Sequence, residues 1–250
     1  MVHAEVIAQP GRSRPLVTVG VLWVLGPAWY LLCEAIAAAA FHGYDYATFY
    51  ISDLGVPTIG DFDGRALSSQ LPQVMNAGFI GSGLLFLLGM ALLFPFLHPG
   101  ASGVVLLSFG VLHAAGITFV GLVPGSPENA ENGLMLVHVL GAFGAIAGGN
   151  LAAISSAWGL RGIVMPRVSR RLGIVLGALG LVSALLLTLH WLLPDGVWER
   201  GSVYTFMLWQ FASGIALLRT STSRVPRPPV SDRPACEYVA ASSGPTPHRG

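Results

Sequence analysis

Residues 16–41 read "LVTVGVLWVLGPAWYLLCEAIAAAAF", an apolar run interrupted by one charged side chain, Glu34. A helix needs roughly 20 apolar residues to cross a hydrocarbon core about 30 Å thick. It also satisfies its own backbone hydrogen bonds, as lipid requires. Arg12 and Arg14 precede the run as they would in a signal peptide. The run is too long for one, however, and no A-x-A-like site with a soluble domain follows, so it is expected to stay in the membrane.

Working outward, the same reading applies at 74–97, 101–123, 134–158, 169–193 and 202–218. Of the 250 residues, 53% are hydrophobic and 10% charged, against roughly 25% charged in an average soluble domain. The expected fold is an all-α integral membrane protein, a six-transmembrane-helix bundle over residues 16–218. The 32 glycines suit close helix contact in lipid. A net charge of +1 gives no reason to expect a nucleic-acid partner. Cys33 lies in the first span and Cys236 in the polar tail, so neither a disulfide nor a cysteine metal site is expected.

Orientation follows from arginine, because the chain has no lysine. With six spans, eleven of the 13 Lys+Arg residues fall at one end, before span 1, between spans 4 and 5, and after span 6. Arg65 and Arg200 alone fall at the other. The positive-inside rule makes both termini cytoplasmic, in a plasma-membrane protein, with the acidic loops outside. Residues 1–15 are then a cytoplasmic segment. Residues 219–250, rich in Pro, Ser and Arg, are expected to be a disordered cytoplasmic tail whose arginines attract anionic headgroups.

Ionisable groups inside a span need a partner or a purpose. Glu34 shares a helical stripe with Trp23, Pro27, Tyr30, Ala38 and Phe41, and His113 is near the middle of span 3. His138 shares a face with Gly141, Ala145, Gly148 and Ala152 and is expected to point into the bundle. His190, near the outer end of span 5, is expected to face protein as well. Each also has a bland reading, a histidine bonded to a neighbouring helix or a neutral buried carboxyl.

Outside, residues 50–55 read "YISDLG". Ser52 and Asp53 can cap a short helix or turn, and Gly55 can take a positive φ, giving a re-entrant or capped first exterior loop. Asn76 opens the next span, and Glu199 and Arg200 stand at the outer mouth of the last. Carboxylates, an amide, imidazoles and a guanidinium thus converge on one rim.

"YISDLG", Asn76, "GLVP" followed by His138, and "ERGSVY" before a span containing Trp209 resemble, in this order, the DUF998 family of bacterial and archaeal membrane proteins. The resemblance runs over residues 16–218; Met75 stands where phenylalanine is expected, and "GLVP" where "GLFP" is common. More distantly, residues 51–55 are similar to the "IS-x-x-G" element of the Frag1/DRAM/Sfk1 group, six-span proteins associated with lipid-anchor remodelling and membrane-lipid homeostasis. That likeness implies a connection to outer-leaflet lipid.

Three functions stay open. In the first, the rim binds or processes a membrane lipid or lipid-linked headgroup, with Asp53, His138 and His190 as an acid/base cluster. Ser52, Asn76, Glu199 and Arg200 then bind the substrate, Arg200 through phosphate. No cofactor is expected, although Asp53, His138 and His190 have the donor types for zinc. In the second, a proton-coupled transporter uses Glu34 and His113. In the third, a non-enzymatic scaffold, a homo-oligomer or partner complex, uses glycine faces such as Gly144/Gly148 and Gly173/Gly177.

Overall fold

Lipid offers no water to a backbone N–H or C=O, so each apolar stretch closes its hydrogen bonds as a helix. In the computed structural model, which describes residues 14–161, 163 and 167–222, six helices are long and apolar enough to cross a membrane. They are α1 (Arg14–Ala39), α2 (Pro72–Leu93), α3 (Ala101–Leu122), α5 (Met135–Gly159), α6 (Arg167–Thr188) and α7 (Asp195–Thr222). A short α4 (Pro127–Glu131) precedes α5, and an antiparallel hairpin, β1 (Gly60–Phe62) and β2 (Arg65–Leu67), interrupts the α1–α2 connection. The chain is a multi-pass, all-helical integral membrane protein.

The ends differ from expectation for local reasons. Pro194 cannot donate an N–H, and Asp195 suits the positive end of a helix dipole, so α7 begins at Asp195 rather than near Ser202. Glu199 and Arg200 therefore lie inside the helix. α6 stops at Thr188, before His190 and Leu192, whose φ values of 49° and 71° are left-handed. Most of segment 1–15 and of tail 219–250 lies outside the described residues.

The helices close a ring in chain order: α1 on α2, α2 on α3, α3 on α5, α5 on α6, α6 on α7 and α7 back on α1. Close approach is set by glycine. A methyl on Gly177 would come within 2.5 Å of the Asn150 carbonyl oxygen, and one on Gly148 within 2.7 Å of the His113 nitrogen. Gly144 and Gly173 likewise meet α3 and α5. The faces weighed as partner surfaces thus pack inside the chain. The Glu34 stripe also faces inward, with Trp23, Pro27, Tyr30, Glu34 and Ala38 buried. Trp23 stacks on Phe86 with centroids 5.5 Å apart, next to Trp209.

Candidate functional site

The connection between α1 and α2 must find partners for its backbone groups. The first turns of α7 supply them. Ile51 N–H donates to Glu199 Oε2 (2.5 Å), and the Tyr50 hydroxyl donates to Asp195 Oδ2 (2.6 Å). Arg200 Nη1 donates to the carbonyls of Tyr46 (2.7 Å), Phe49 (3.0 Å) and Gly196 (3.1 Å). Gly196 lets the loop lie on the helix, since a methyl there would be 2.5–2.8 Å from the carbonyl oxygens of Phe49, Ala47 and Tyr46.

Below this contact Arg200 Nη2 donates to Glu34 Oε1 (3.2 Å) and to the Tyr44 hydroxyl. The Tyr204 hydroxyl donates to both Glu34 oxygens, at 2.8 and 2.9 Å. Arg200 and Glu34 are 8% and 2% exposed. This corrects the expectation that Arg200 grips phosphate: its guanidinium is buried and engaged within the protein. His113 is placed apart from Glu34. Its Nδ1 donates to the Ala145 carbonyl (2.7 Å) and its ring lies 4.0 Å from that of Phe206, so it serves the aromatic core apart from Glu34.

"YISDLG" folds as a 3-10 turn over Ser52–Gly55. Asp53 Oδ2 accepts from Tyr50 N–H and from Arg65 Nε, both at 2.9 Å. Neither Ser52 nor Asp53 caps the turn, since Ile51 stands at the N-cap with no side-chain cap bond; Asp53 instead reaches back to the Tyr50 N–H ahead of it. Gly55 is also not left-handed. It is needed because the Asn76 Oδ1 atom presses where a Cβ would be, while Asn76 Nδ2 donates to the Gly55 carbonyl (2.9 Å). Asn76 therefore ties the loop to α2. Burial raises the Asp53 carboxyl above its ordinary pKa, against the opposing pull of Arg65. The Tyr50 hydroxyl is raised by burial and by Asp195, which accepts from it.

Above these residues lies a cleft of about 540 Å³. Tyr50, Ser52, Asp53, Arg65, His138 and Glu199 line its polar end; Val139, Ala142, Ile146 and Leu187 continue it along α5 and α6. His138, 7% exposed, donates from Nδ1 to the Val123 carbonyl (2.7 Å). That bond places a proton on Nδ1, and Nε2 lies beside Gly125. The second oxygen of Asp53, Oδ1, has no hydrogen bond among the described residues. No hydrogen bond joins Asp53 to His138 among the described residues.

His190 departs from expectation. It follows the end of α6, its side chain is 69% exposed, and Nδ1 pairs with Asp195 Oδ2 at 2.8 Å. It sits on the cleft's rim and does not face the bundle. Among the described residues no three His, Cys, Asp or Glu side chains are grouped to share a metal ion. Asp53, His138 and His190 each have a different partner instead.

A family model described as "Protein of unknown function (DUF998)" matches residues 24–216. The chain belongs to the DUF998 family. The match contains the whole network of this DUF998 protein, from Glu34 in α1 to Tyr204 in α7. Comparison with curated proteins and with solved structures gives no match.

Sequence reasoning missed Arg65, Tyr44, Tyr50 and Tyr204. For Arg65 a signal existed: Asp63-Gly64 between short extended runs marks a two-residue hairpin, with positive φ at both positions. Their φ values are 50° and 72°. The tyrosines carry no comparable signal.

Proposed function

We propose that this DUF998 protein recognises a membrane lipid by its headgroup, at the exterior face of the plasma membrane. One observation carries the reading: a single cleft is polar among Asp53, Arg65, His138 and Glu199, then apolar along Val139, Ala142 and Ile146 of a spanning helix. A headgroup and the start of its chain have that sequence of polarity. His138 Nε2 and Asp53 Oδ1 are the groups free to meet the headgroup, and both are of the kind that move protons. Arginine supports the orientation, since the chain puts eleven of 13 at the end away from the cleft.

The test is lipid profiling of a deletion strain rescued at matched membrane abundance. Wild type is expected to restore one altered lipid class, while His138→Gln, which removes the base, and Ala142→Trp, which fills the apolar wall, fail to do so. Full rescue by both variants would show that the cleft is not the site.

A further inference from the structure

The charge of the cleft points to the class of headgroup. Asp53 and Asp63 line it with one arginine, Arg65, while the Glu199 side chain there is taken by Ile51 N–H. Arg65 is already a cation held in a cation's place: Nε lies 2.9 Å from Asp53 Oδ2, and the guanidinium carbon lies 4.6 Å from the centroid of the Tyr50 ring. A carboxylate and an aromatic face are the two partners that recognise an ammonium group. Asp53 is 2% exposed and keeps one oxygen unbonded among the described residues. The site is therefore built into the fold, and its outer cation is not.

Arg65 belongs to a short hairpin that is anchored at Leu67 and Phe62 but otherwise largely exposed. The hairpin has three residues in each strand, and Gly60, Asp61, Asp63, Gly64 and Ala66 are exposed. An isolated two-stranded hairpin is at best marginally stable. Such an element exchanges its contacts easily.

Resting on the headgroup reading above, we infer that the cleft selects lipids whose headgroup carries an ammonium group, which replaces Arg65 against Asp53 and Tyr50. The lipid, rather than a free amine, is the occupant, because the cleft continues along Val139, Ala142 and Ile146, where a small amine has nothing to bury. Arg65 acts as a resident stand-in that keeps Asp53 neutralised until the lipid arrives.

The experiment measures binding of dioctanoyl phosphatidylethanolamine and dioctanoyl phosphatidylglycerol to the full-length protein in detergent. The two share phosphate and chains and differ in the ammonium. Phosphatidylethanolamine is expected to bind about tenfold tighter, a difference of about 1.4 kcal/mol. Arg65→Ala should strengthen its binding on the order of three- to tenfold by removing the competitor, and Asp53→Asn should erase the preference. Equal or tighter binding of phosphatidylglycerol, or weaker phosphatidylethanolamine binding by Arg65→Ala, overturns the inference.

Should Arg65→Ala melt early, Asp63→Asn decides, because asparagine tolerates the left-handed turn and the change removes one carboxylate. The preference must then fall, and an unchanged preference overturns the inference. Displacement by water-soluble glycerophosphoethanolamine at equal concentration would show that the chain is not read, which sinks the commitment to a lipid. Alike binding of both lipids, abolished by Ala142→Trp, keeps the headgroup site and removes the ammonium class. Binding of neither lipid sinks both readings.

Discussion

A lone carboxylate in a spanning helix costs about 2.5–3.5 kcal/mol on insertion scales. Glu34 avoids that cost by sharing it: Arg200 supplies the opposite charge and Tyr204 one hydroxyl shared between the two oxygens. Removing one member leaves the other charge buried and alone, a loss of about 3–5 kcal/mol. Glu34→Gln and Arg200→Gln should each lower the thermal midpoint in detergent strongly. The double variant should lose less than the sum, because neither charge is then stranded. Strict additivity would show that the two do not act as a pair. Glu34's inward direction was legible from helical spacing with Trp23, Pro27 and Tyr30. Its partner was not, since Arg200 lies 166 residues away and nothing local links them.

The α1–α2 loop is tied to the bundle by Tyr50 on Asp195, Ile51 on Glu199, Gly55 on Asn76, Thr58 on Glu128 and the Arg200 bonds, while Asp53 holds the loop to itself through Tyr50 and Arg65. Because Asp53 is buried in the docked loop, docking is sensitive to its charge. Its carboxyl is raised in the docked loop, by burial first. A raised carboxyl stabilises docking fully below the ordinary carboxylate pKa, and the contribution is lost as pH rises through the raised value. Hydrogen exchange of amides 50–56, corrected for intrinsic rates, should therefore slow as pH falls toward about 4. Arg65→Ala removes the largest opposing influence and should move the midpoint of that slowing upward, while Asp53→Asn should flatten it. A downward movement in Arg65→Ala would mean that burial does not dominate. The sequence offered Asp53 as an acceptor for the loop's N–H groups but hid the clamp on Gly55, because a glycine required by a neighbour's side chain looks the same as one required by its own φ.

At the scale of the molecule, composition made the class plain, because six apolar runs in a chain with 10% charged residues admit little else. Closure of α7 on α1, which brings the α1–α2 loop to Glu199 and Arg200, had no such signal. It is a property of packing between segments far apart in sequence. The polar groups gather at the end formed by the α1–α2 connection and the start of α7; the cavities of about 50 and 30 Å³ beneath suit a few waters, and the groove of about 470 Å³ between α1 and α7 is lined almost wholly by apolar side chains. That favours a site at one face over a path through the bundle. Which face it is can be read with a thiol reagent that does not cross membranes. Cys33 is buried and stays silent, so Cys236, in the tail, reports one side and an Asp61→Cys substitution on the exposed hairpin reports the other. Intact cells should label Asp61→Cys and leave Cys236 untouched until they are permeabilised. Labelling of both from outside would break the even count of crossings. The reverse pattern would keep the bundle but turn the cleft toward the cytoplasm, and its lipid would then have to come from the inner leaflet.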